Sequence, residues 1–373
     1  MPFNLETISK QFRVHGNFLS AQPYGSGHIN DTYLVLIDQD GICARYIIQR
    51  INHNIFKDPP ALMENIERVT KHIRSKLEVA NVDEPSRRVL TIIPTKNQSG
   101  YYKDPGGNYW RAYLFIERAQ TYDTVHSDDQ AFQAARMFGN FQEMLIDLPG
   151  PPLHETIRGF HNAPVRFKQF QKSLKADPCN RAKITKPEID FLIEHAWIFD
   201  GLPTLVEKGE IPVRTTHNDT KINNVMLDEK TGEGVCIIDL DTVMPGLSLY
   251  DFGDLARTTL SPAAEDEPDL KNVYIDISRF KTILKGYLAA AGEFLNHTEL
   301  DNLVTGAKMM TLMIGMRFLV DFLDGDRYYK IGREAHNLER CRVQFKLVRS
   351  MIMHEEEMSA IVENLTPGGQ DKI

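Results

Sequence analysis

Apolar and polar residues alternate along several short stretches in the first third of the chain, which indicates β-strands with one buried face. A single helix interrupts them at 60–79, where a pair of prolines precedes apolar residues at helical spacing. This order predicts a small antiparallel sheet with one helix against it. The predicted strands are 32–37, 44–50, 89–94 and 109–116.

Beyond residue 117 the apolar positions recur at helical spacing, and the predicted helices are 128–145, 187–199, 278–291, 299–323 and 334–364. One strand–turn–strand unit, 225–240, interrupts them. We therefore predict an α+β chain of two lobes with a boundary near 117–123. The N-lobe, 1–118, is a small antiparallel β-sheet with one main helix, and the C-lobe, 119–373, is larger and mainly helical.

Composition and charge exclude several classes of partner. The formal net charge is −8 and no run of five Lys or Arg residues occurs, which argues against nucleic acids and anionic membranes. The first 14 residues have no apolar core of signal-peptide length, and the most apolar stretch, 309–320, contains Thr311 and Arg317 and is too short to span a bilayer. Four scattered cysteines fit a reducing compartment. We expect a cytoplasmic monomer.

The strongest chemical signal is T-H-N-D-T-K-I-N-N at 216–224. Phosphoryl transfer needs an oriented hydroxyl, a carboxylate near its proton, and metal ligands that hold the phosphates. Asp219 fits the carboxylate, Asn224 lies five positions on, and Asp239 follows an apolar strand fifteen positions later. A tight turn joins the two strands, so these three side chains are predicted to face one point. Oxygen ligands of this kind suit Mg²⁺.

A plainer interpretation is that this loop caps a helix and that Asp239 closes a strand. The complete pattern, H-x-D-x-x-x-x-N followed by a hairpin and a carboxylate, favours the catalytic interpretation. Two acids at the end of an apolar strand, Asp239 and Asp241, also need a cation nearby. We assign supporting roles to His217 and Asp241.

A glycine-rich turn, Y-G-S-G-H-I-N, lies between two predicted strands. Gly25 and Gly27 would let backbone N–H groups approach phosphates, although a plain β-turn has the same pattern. Arg50 closes the next strand, where a kinase lysine pairs with phosphates, and Glu67 on the following helix is its natural partner. Arginine departs from the usual lysine, so Gln49 or another residue is the alternative that faces the nucleotide. Glu67 fits a solvated helix face equally well.

The segment Y-D-F-G-D-L-A-R follows the predicted metal strand. Asp239 already occupies the metal position, so Asp251 and Asp254 are predicted to support the catalytic loop through hydrogen bonds. Capping of a helix start is the competing explanation.

Arg317 lies in an otherwise apolar predicted helix, so its charge requires a partner or a ligand. Tyr328 follows shortly after, and His28 in the glycine-rich turn could also reach an acceptor. An internal ion pair of Arg317 with Asp321, one turn on, is the alternative.

The segments H-N-D-T-K-I-N-N, I-I-D-L-D and Y-D-F-G-D-L-A-R resemble the aminoglycoside phosphotransferase and choline kinase superfamily. More narrowly, P-Y-G-S-G-H-I-N, Y-I-I-Q-R-I-N and G-M-R-F-L-V-D-F-L-D-G-D resemble its bacterial N-acetylhexosamine 1-kinases. The resemblance implies a protein-kinase-like fold, ATP, Mg²⁺, and phosphorylation of the anomeric hydroxyl of N-acetylglucosamine or N-acetylgalactosamine. The residues that it implies are the base Asp219, the metal ligands Asn224 and Asp239, and His28, Arg317 and Tyr328 near the sugar.

In this kinase hypothesis the adenine of ATP lies against the linker near Glu117. Two rival hypotheses remain. The first keeps the kinase and changes the acceptor to choline, ethanolamine, homoserine or an aminoglycoside, for which the acidic run at 265–269 could serve. The second is a nucleotide-binding pseudokinase, which only the missing phosphate-pairing lysine supports.

Overall fold

A computed structural model describes residues 3–25, 27 and 29–366. Its described residues form two compact units. The N-terminal unit contains the chain up to residue 119 together with 147–158 and 236–244, and the C-terminal unit contains the remainder. The sequence pattern did not anticipate that the two later segments group with the N-terminal sheet. His28, predicted near the sugar, lies outside the described residues.

The N-terminal unit is built on a five-stranded antiparallel sheet in the order β1-β2-β3-β5-β4. Its elements are α1 Leu5–Ser9, β1 Asn17–Pro23, β2 Asp31–Gln39, β3 Ile42–Ile51, α2 Pro59–Val79, α3 Pro85–Arg88, β4 Tyr102–Lys103 and β5 Tyr109–Leu114. The predicted strand 89–94 is wrong, because the segment makes only one isolated bridge, Ile92 to Tyr113, before Thr95. Pro94 has no N–H to donate to a ladder, which explains why pairing stops there.

The register of this sheet decides which side chains share a face. Tyr33, Val35 and Ile48 point to the face that packs on Leu5 and Ile8 of α1, which we call the α1 face. Residues directly opposite each other share a face, and neighbours along a strand alternate.

Applied to the polar positions, this rule separates two arginines. Arg50 pairs with Asp31 and Trp110, so it lies on the α1 face. Gln49 pairs with Thr32 and with Arg111, so these three lie on the opposite face, which we call the Arg111 face.

The C-terminal unit is mainly helical. Two short sheets, β6-β8-β9 and β7-β10, accompany its helices, and the unit boundary falls within β6, β9 and β10. The elements are β6 Ala119–Gln120, α4 Asp128–Leu145, α5 Ala163–Ala176, α6 Lys186–Glu194, α7 Gly201–Glu207, β7 Arg214–Thr216, β8 Val225–Asp228, β9 Gly234–Ile237, β10 Met244–Gly246, α8 Ser248–Thr259, α9 Ile277–Ala291, α10 His297–Asp301, α11 Leu303–Leu323, α12 His336–Met353 and α13 Glu355–Leu365. The sequence pattern missed α5, α7 and α8, and it merged α10 with α11 and α12 with α13.

Helix α11 is the core of this unit. Of the described helices, it alone has the length and apolar composition that could cross a membrane, but 89% of its apolar window is buried inside the protein. Its apolar character on all sides is that of a helix surrounded by other helices.

Glycines let the helices of this unit approach each other closely. A Cβ on Gly286 of α9 would lie 2.4 Å from the carbonyl oxygen of Phe132 on α4, and one on Gly253 of α8 would lie 2.4 Å from the carbonyl oxygen of Gly306 on α11. Backbone cannot yield as a flexible side chain can, so these contacts need glycine.

We expect Gly286→Ala to destabilise the protein by about 1–3 kcal/mol through overpacking. The free energy of unfolding in urea measures this loss. Gly201→Ala is the matched control, because its Cβ would meet only a methyl group of Thr305 at 3.7 Å and helix formation favours alanine. Equal stabilities for the two variants would contradict the close contact.

Candidate active site

Asp219 and Asn224 lie together on the loop between β7 and β8 of the C-terminal unit. The Nδ2 of Asn224 donates to the carbonyl oxygen of Asp219 at 2.8 Å and to its Oδ2 at 3.1 Å. This orientation leaves Oδ1 of Asn224 with no donor from the described part of the chain. An amide oxygen presented in this way is a suitable ligand for a hard cation.

Asp251 of α8 fixes this loop through hydrogen bonds to its backbone and to Thr220. Its carboxylate accepts the backbone N–H groups of His217 at 2.9 Å and of Asn218 at 2.7 Å, and its carbonyl oxygen accepts the Thr220 hydroxyl at 2.6 Å. The Nε2 of Gln142 also donates to the carboxylate, at 2.6 Å. Burial raises the pKa of Asp251, and these hydrogen bonds act in the opposite direction by stabilising the anion.

His217 is fully buried, and its ring meets the edges of Phe138 and Phe141. Its Nδ1 accepts the backbone N–H of Asp219 at 3.3 Å. The histidine of the motif therefore shapes the backbone that carries Asp219.

Lys221 provides a charge beside the candidate base. Its Nζ lies 3.3 Å from Oδ1 of Asp219, whose side chain is 25% exposed. Burial acts to raise the pKa of Asp219, but the Lys221 ammonium, His217 and Arg257 hold it below its ordinary value. Asp219 is therefore ionised at neutral pH and able to accept a hydrogen bond from a hydroxyl.

Arg317 of α11 lies against aromatic rings. Its guanidinium carbon is 4.7 Å from the ring centre of Phe160, 5.7 Å from that of Tyr328 and 5.8 Å from that of Tyr329. No hydrogen-bond acceptor for its N–H groups occurs among residues 3–25, 27 and 29–366. We call Phe160, Tyr328, Tyr329 and Arg317 the Arg317 cage.

The carboxylate of Asp219 belongs to the surroundings of this cage. Burial acts to lower the pKa of Arg317, but the neighbouring tyrosines and Asp219 keep it above the usual value. Arg166 of α5 is also close, since burial and the charge of Arg317 lower its pKa. The aromatic rings of the Arg317 cage thus lie near two positive charges, Arg317 of the cage itself and the neighbouring Arg166.

The alternative ion pair between Arg317 and Asp321 does not form. Asp321 instead accepts the backbone N–H groups of Arg327, Tyr328 and Tyr329 at 2.8–2.9 Å. Its carboxylate therefore fixes the loop that presents the two tyrosines to Arg317.

His161 is a buried neighbour of the cage. Its Nε2 lies 2.8 Å from the carbonyl oxygen of Asn218, which can only accept, so the proton is on Nε2. Burial lowers the pKa of His161 to about 3, so the ring is neutral. It joins the loop that precedes α5 to the loop that carries Asp219.

Two carboxylates of the acidic run at 265–269, Glu265 and Asp266, have cationic partners inside the protein. Glu265 accepts Arg257 at 2.7 Å, and Asp266 accepts His336 at 2.8 Å and Arg333 at 3.1 Å. Asp254, which the sequence linked to the catalytic loop, accepts Arg257 at 2.8 Å. These charges are neutralised within the C-terminal unit.

Asp239 and Asp241 belong to the N-terminal unit. Asp239 follows β9 in the left-handed conformation, with φ of 58°. The side chain of Asp241 is 2% exposed and forms an ion pair with Arg111, which is 1% exposed. Asp241 also accepts Nδ2 of Asn30 at 2.7 Å, and its carbonyl oxygen accepts the Thr156 hydroxyl at 2.7 Å.

The predicted pairing of Arg50 with Glu67 is wrong. Arg50 forms an ion pair with Asp31, with its Nε 2.7 Å from the carboxylate, and lies over the ring of Phe3. The carboxylate of Glu67 accepts a hydrogen bond from the backbone of Gly100, and burial raises its pKa. Arg50 faces α1 because the register of β3 puts it there, which the linear spacing could not show.

The other predicted nucleotide residues have these positions. Gly25 has a φ of +80°, a conformation that favours glycine, and no atom lies within 4 Å of the Cβ positions of Gly25 and Gly27 in the part of the chain described. The carboxylate of Glu117 is exposed and forms an ion pair with Arg45. Their roles toward ATP remain predictions.

Mg²⁺ fits the chemistry of the predicted ligands. Asn224 offers an amide oxygen and Asp239 a carboxylate, the donor types that this ion prefers. Among the described residues, no group of three or more His, Cys, Asp or Glu could hold a metal. A magnesium–nucleotide site needs few protein ligands, since phosphates and water complete the coordination.

Several residues of the site escaped the sequence pattern. The sequence signal for Arg111 is a charge at the centre of an apolar strand. Lys221 lies inside the motif at 216–224, but its position there does not show that its ammonium contacts Asp219. Phe160 and Arg166 gave no local signal, because only the packing of α5 on α11 gathers them.

Comparison with known protein families identifies the family of this chain. A family model described as a phosphotransferase enzyme family matches residues 20–276. The chain belongs to this family.

Solved structures of small-molecule kinases share the fold. An aminoglycoside phosphotransferase from Alicyclobacillus acidocaldarius is similar, with a TM-score of 0.58 and 11% identity over 100% of this chain and 98% of that one. A choline kinase from Cryptosporidium parvum has a TM-score of 0.58 and 13% identity over 95% of each chain. A spectinomycin phosphotransferase in complex with ADP and spectinomycin has a TM-score of 0.55 and 13% identity over 96% of this chain and 100% of that one.

These likenesses establish the fold. The predicted α+β kinase-like fold, with an antiparallel sheet in the N-terminal part and helices in the C-terminal part, is confirmed. As a member of the phosphotransferase family, the protein is a small-molecule phosphotransferase. At 11–15% identity the relatives do not specify the acceptor.

We expect Lys221→Met to move the acid limb of the pH profile of kcat/KM to higher pH. Without the ammonium, burial dominates and the pKa of Asp219 rises, so the base becomes protonated at a pH where the wild-type protein keeps it ionised. Initial rates from about pH 5 to 9 with the best acceptor measure the limb. Lys230→Met, on the exposed β8–β9 turn, is the matched control and should leave the limb in place; an unmoved limb in Lys221→Met would contradict the role of Lys221.

Proposed function

We propose that the protein transfers the γ-phosphate of ATP to the anomeric hydroxyl of N-acetylglucosamine or N-acetylgalactosamine, giving the sugar 1-phosphate. The observation that carries the choice of acceptor is the Arg317 cage. An aromatic cage of this kind would hold an alkylammonium acceptor if it were empty of protein charge. Here the guanidinium of Arg317 already covers the rings.

Electrostatics therefore favour a neutral acceptor rich in oxygen. Arg317 and Arg166 would repel an amine brought to Asp219, and Glu265 and Asp266 of the acidic run already have cationic partners within the protein. An N-acetylhexosamine has hydroxyl and acyl oxygens that can accept the unused donors of Arg317. We infer that Tyr328 lines the sugar site beside Arg317.

The proposed reaction is a direct in-line transfer. Asp219 accepts a hydrogen bond from the anomeric hydroxyl and takes its proton. The bond from that oxygen to the γ-phosphorus forms as the bond from the γ-phosphorus to the bridging oxygen breaks, and ADP leaves with the electron pair. Asn224 and Asp239 are the proposed ligands of Mg²⁺, which when bound neutralises charge on the phosphates.

An acceptor panel with ATP and Mg²⁺, followed by ³¹P NMR, tests this function. We expect a product from N-acetylglucosamine or N-acetylgalactosamine whose phosphorus is coupled to an anomeric proton. Glucosamine is the matched control, since it has the same ring with a cationic amine, and we expect a much lower kcat/KM for it. Choline, homoserine and an aminoglycoside complete the panel. Faster phosphorylation of any amine than of both N-acetylhexosamines would overturn the proposed acceptor.

We expect Asp219→Asn to lower kcat by about 10²- to 10⁴-fold, because the amide cannot take the proton. The KM for ATP should change little, since the side chain keeps its size. Asp190→Asn on α6 removes an exposed carboxylate and is the control, which should retain wild-type rates. A kcat for Asp219→Asn equal to that of the control would show that Asp219 is not the base.

A further inference from the structure

A buried positive charge lies on the Arg111 face, at the position across the strands from Gln49. Arg111 donates from Nε to Oε1 of Gln49 at 2.9 Å, and Gln49 in turn donates to the Thr32 hydroxyl at 2.9 Å. From Nη1 it donates to Asp241. A guanidinium has five donors, and no residue in the described part of the chain accepts from its Nη2.

The same carboxylate joins Arg111 to the end of the glycine-rich turn. Asn30 closes that turn, and its Nδ2 donates to Oδ2 of Asp241 at 2.7 Å. The Oδ1 of Asn30 accepts the backbone N–H of Asn52 at 2.9 Å, which fixes its orientation. Asp241 therefore binds both a cation, Arg111, and Asn30, the residue that closes the glycine-rich turn.

Asp239 belongs to the same surroundings. It lies two residues before Asp241 and contributes, with Asp241, to keeping the pKa of Arg111 above its ordinary value against the effect of burial. Arg50 is on the opposite face of the sheet, and Arg45, at the other end of β3, is paired with Glu117.

We propose that Arg111 contacts the phosphates of the bound nucleotide, in the place of a strand lysine, and that Asp241 positions it together with Asn30. This assignment rests on the proposed ATP-dependent function but is independent of the acceptor. The cation in this assignment, Arg111, lies on β5 and is 62 residues from Gln49 in sequence, although the two side chains are in contact. Arg50 lies on the other face of the sheet, which argues against the same role for it.

Binding of Mg·ATP and of adenosine, measured by calorimetry without an acceptor, tests the assignment. Removing only one member of a buried ion pair risks unfolding, so the principal variant is Arg111→Met with Asp241→Asn. We expect its Kd for Mg·ATP to rise about 10- to 100-fold, because the phosphates lose one or two hydrogen bonds from a charged donor. Its Kd for adenosine should change less than about twofold, because adenosine has no phosphate.

A relocated charge separates phosphate binding from a structural role. Gln49→Lys in the Arg111→Met background puts an ammonium directly across the strands, and we expect it to recover most of the Mg·ATP affinity. Arg111→Lys keeps the charge and loses the planar fork, so its loss should be intermediate. Arg50→Met tests the rival, and its ratio of ATP to adenosine affinity should equal that of the wild-type protein.

Equal losses of ATP and adenosine affinity in the principal variant, or a selective loss of ATP in Arg50→Met, would overturn the assignment. Where circular dichroism shows that the principal variant does not fold, Arg111→Lys decides by the same ratio, and an unchanged ratio overturns the assignment. A wild-type protein that binds no ATP would overturn this assignment together with the proposed function. A wild-type protein that binds ATP, passes the ratio test and phosphorylates no hexosamine would overturn the proposed acceptor alone.

Discussion

The ion pair of Arg111 with Asp241 is the interaction around which the buried polar groups of the N-terminal unit are arranged. Both side chains are almost completely buried, at 1% and 2% exposure. Charges buried in this way are tolerated only when paired and hydrogen-bonded, and removal of one partner costs about 3–5 kcal/mol. Asn30 and Gln49 supply the additional hydrogen bonds. The segment that carries Asp239 therefore has one strongly preferred arrangement.

In the C-terminal unit, too, a buried and hydrogen-bonded carboxylate fixes a loop, the one between β7 and β8 that carries Asp219. The buried carboxylate of Asp251 accepts two successive backbone N–H groups and the amide of Gln142, while Gln142 accepts the hydroxyl of Tyr287 at 2.7 Å. The loop is then fixed by α4, α8 and α9 before any substrate arrives. If Asp219 and Asn224 have the roles proposed above, preorganisation of this kind lets them keep their geometry during the reaction.

How far the sequence could predict the site depends on how local each feature is. The proximity of Asp219 and Asn224 could be predicted, because five residues of one loop separate them. The partner of Arg50 could not, since the face of a strand residue depends on register, and one position along β3 reverses it. Only part of the Arg317 cage could be predicted. A charge in an apolar helix requires a partner, and this pointed to Arg317. Phe160 could not be predicted, because it comes from a segment more than 150 positions away and no local pattern encodes its packing.

The absence of a lysine at the end of β3 also has a different meaning once register is known. As a linear motif, the loss of that lysine suggests a protein that binds nucleotide without transferring phosphate. In a sheet, however, a residue on the adjacent strand and the same face lies about 5 Å away, within reach of a long side chain. Arg111 satisfies that condition opposite Gln49, whereas Arg50, next to Gln49 in sequence, points to the other side. What phosphate binding requires is a cation at a point in space, and a neighbouring strand can supply it. If Arg111 supplies that cation, as we propose, the missing lysine is no argument for a pseudokinase.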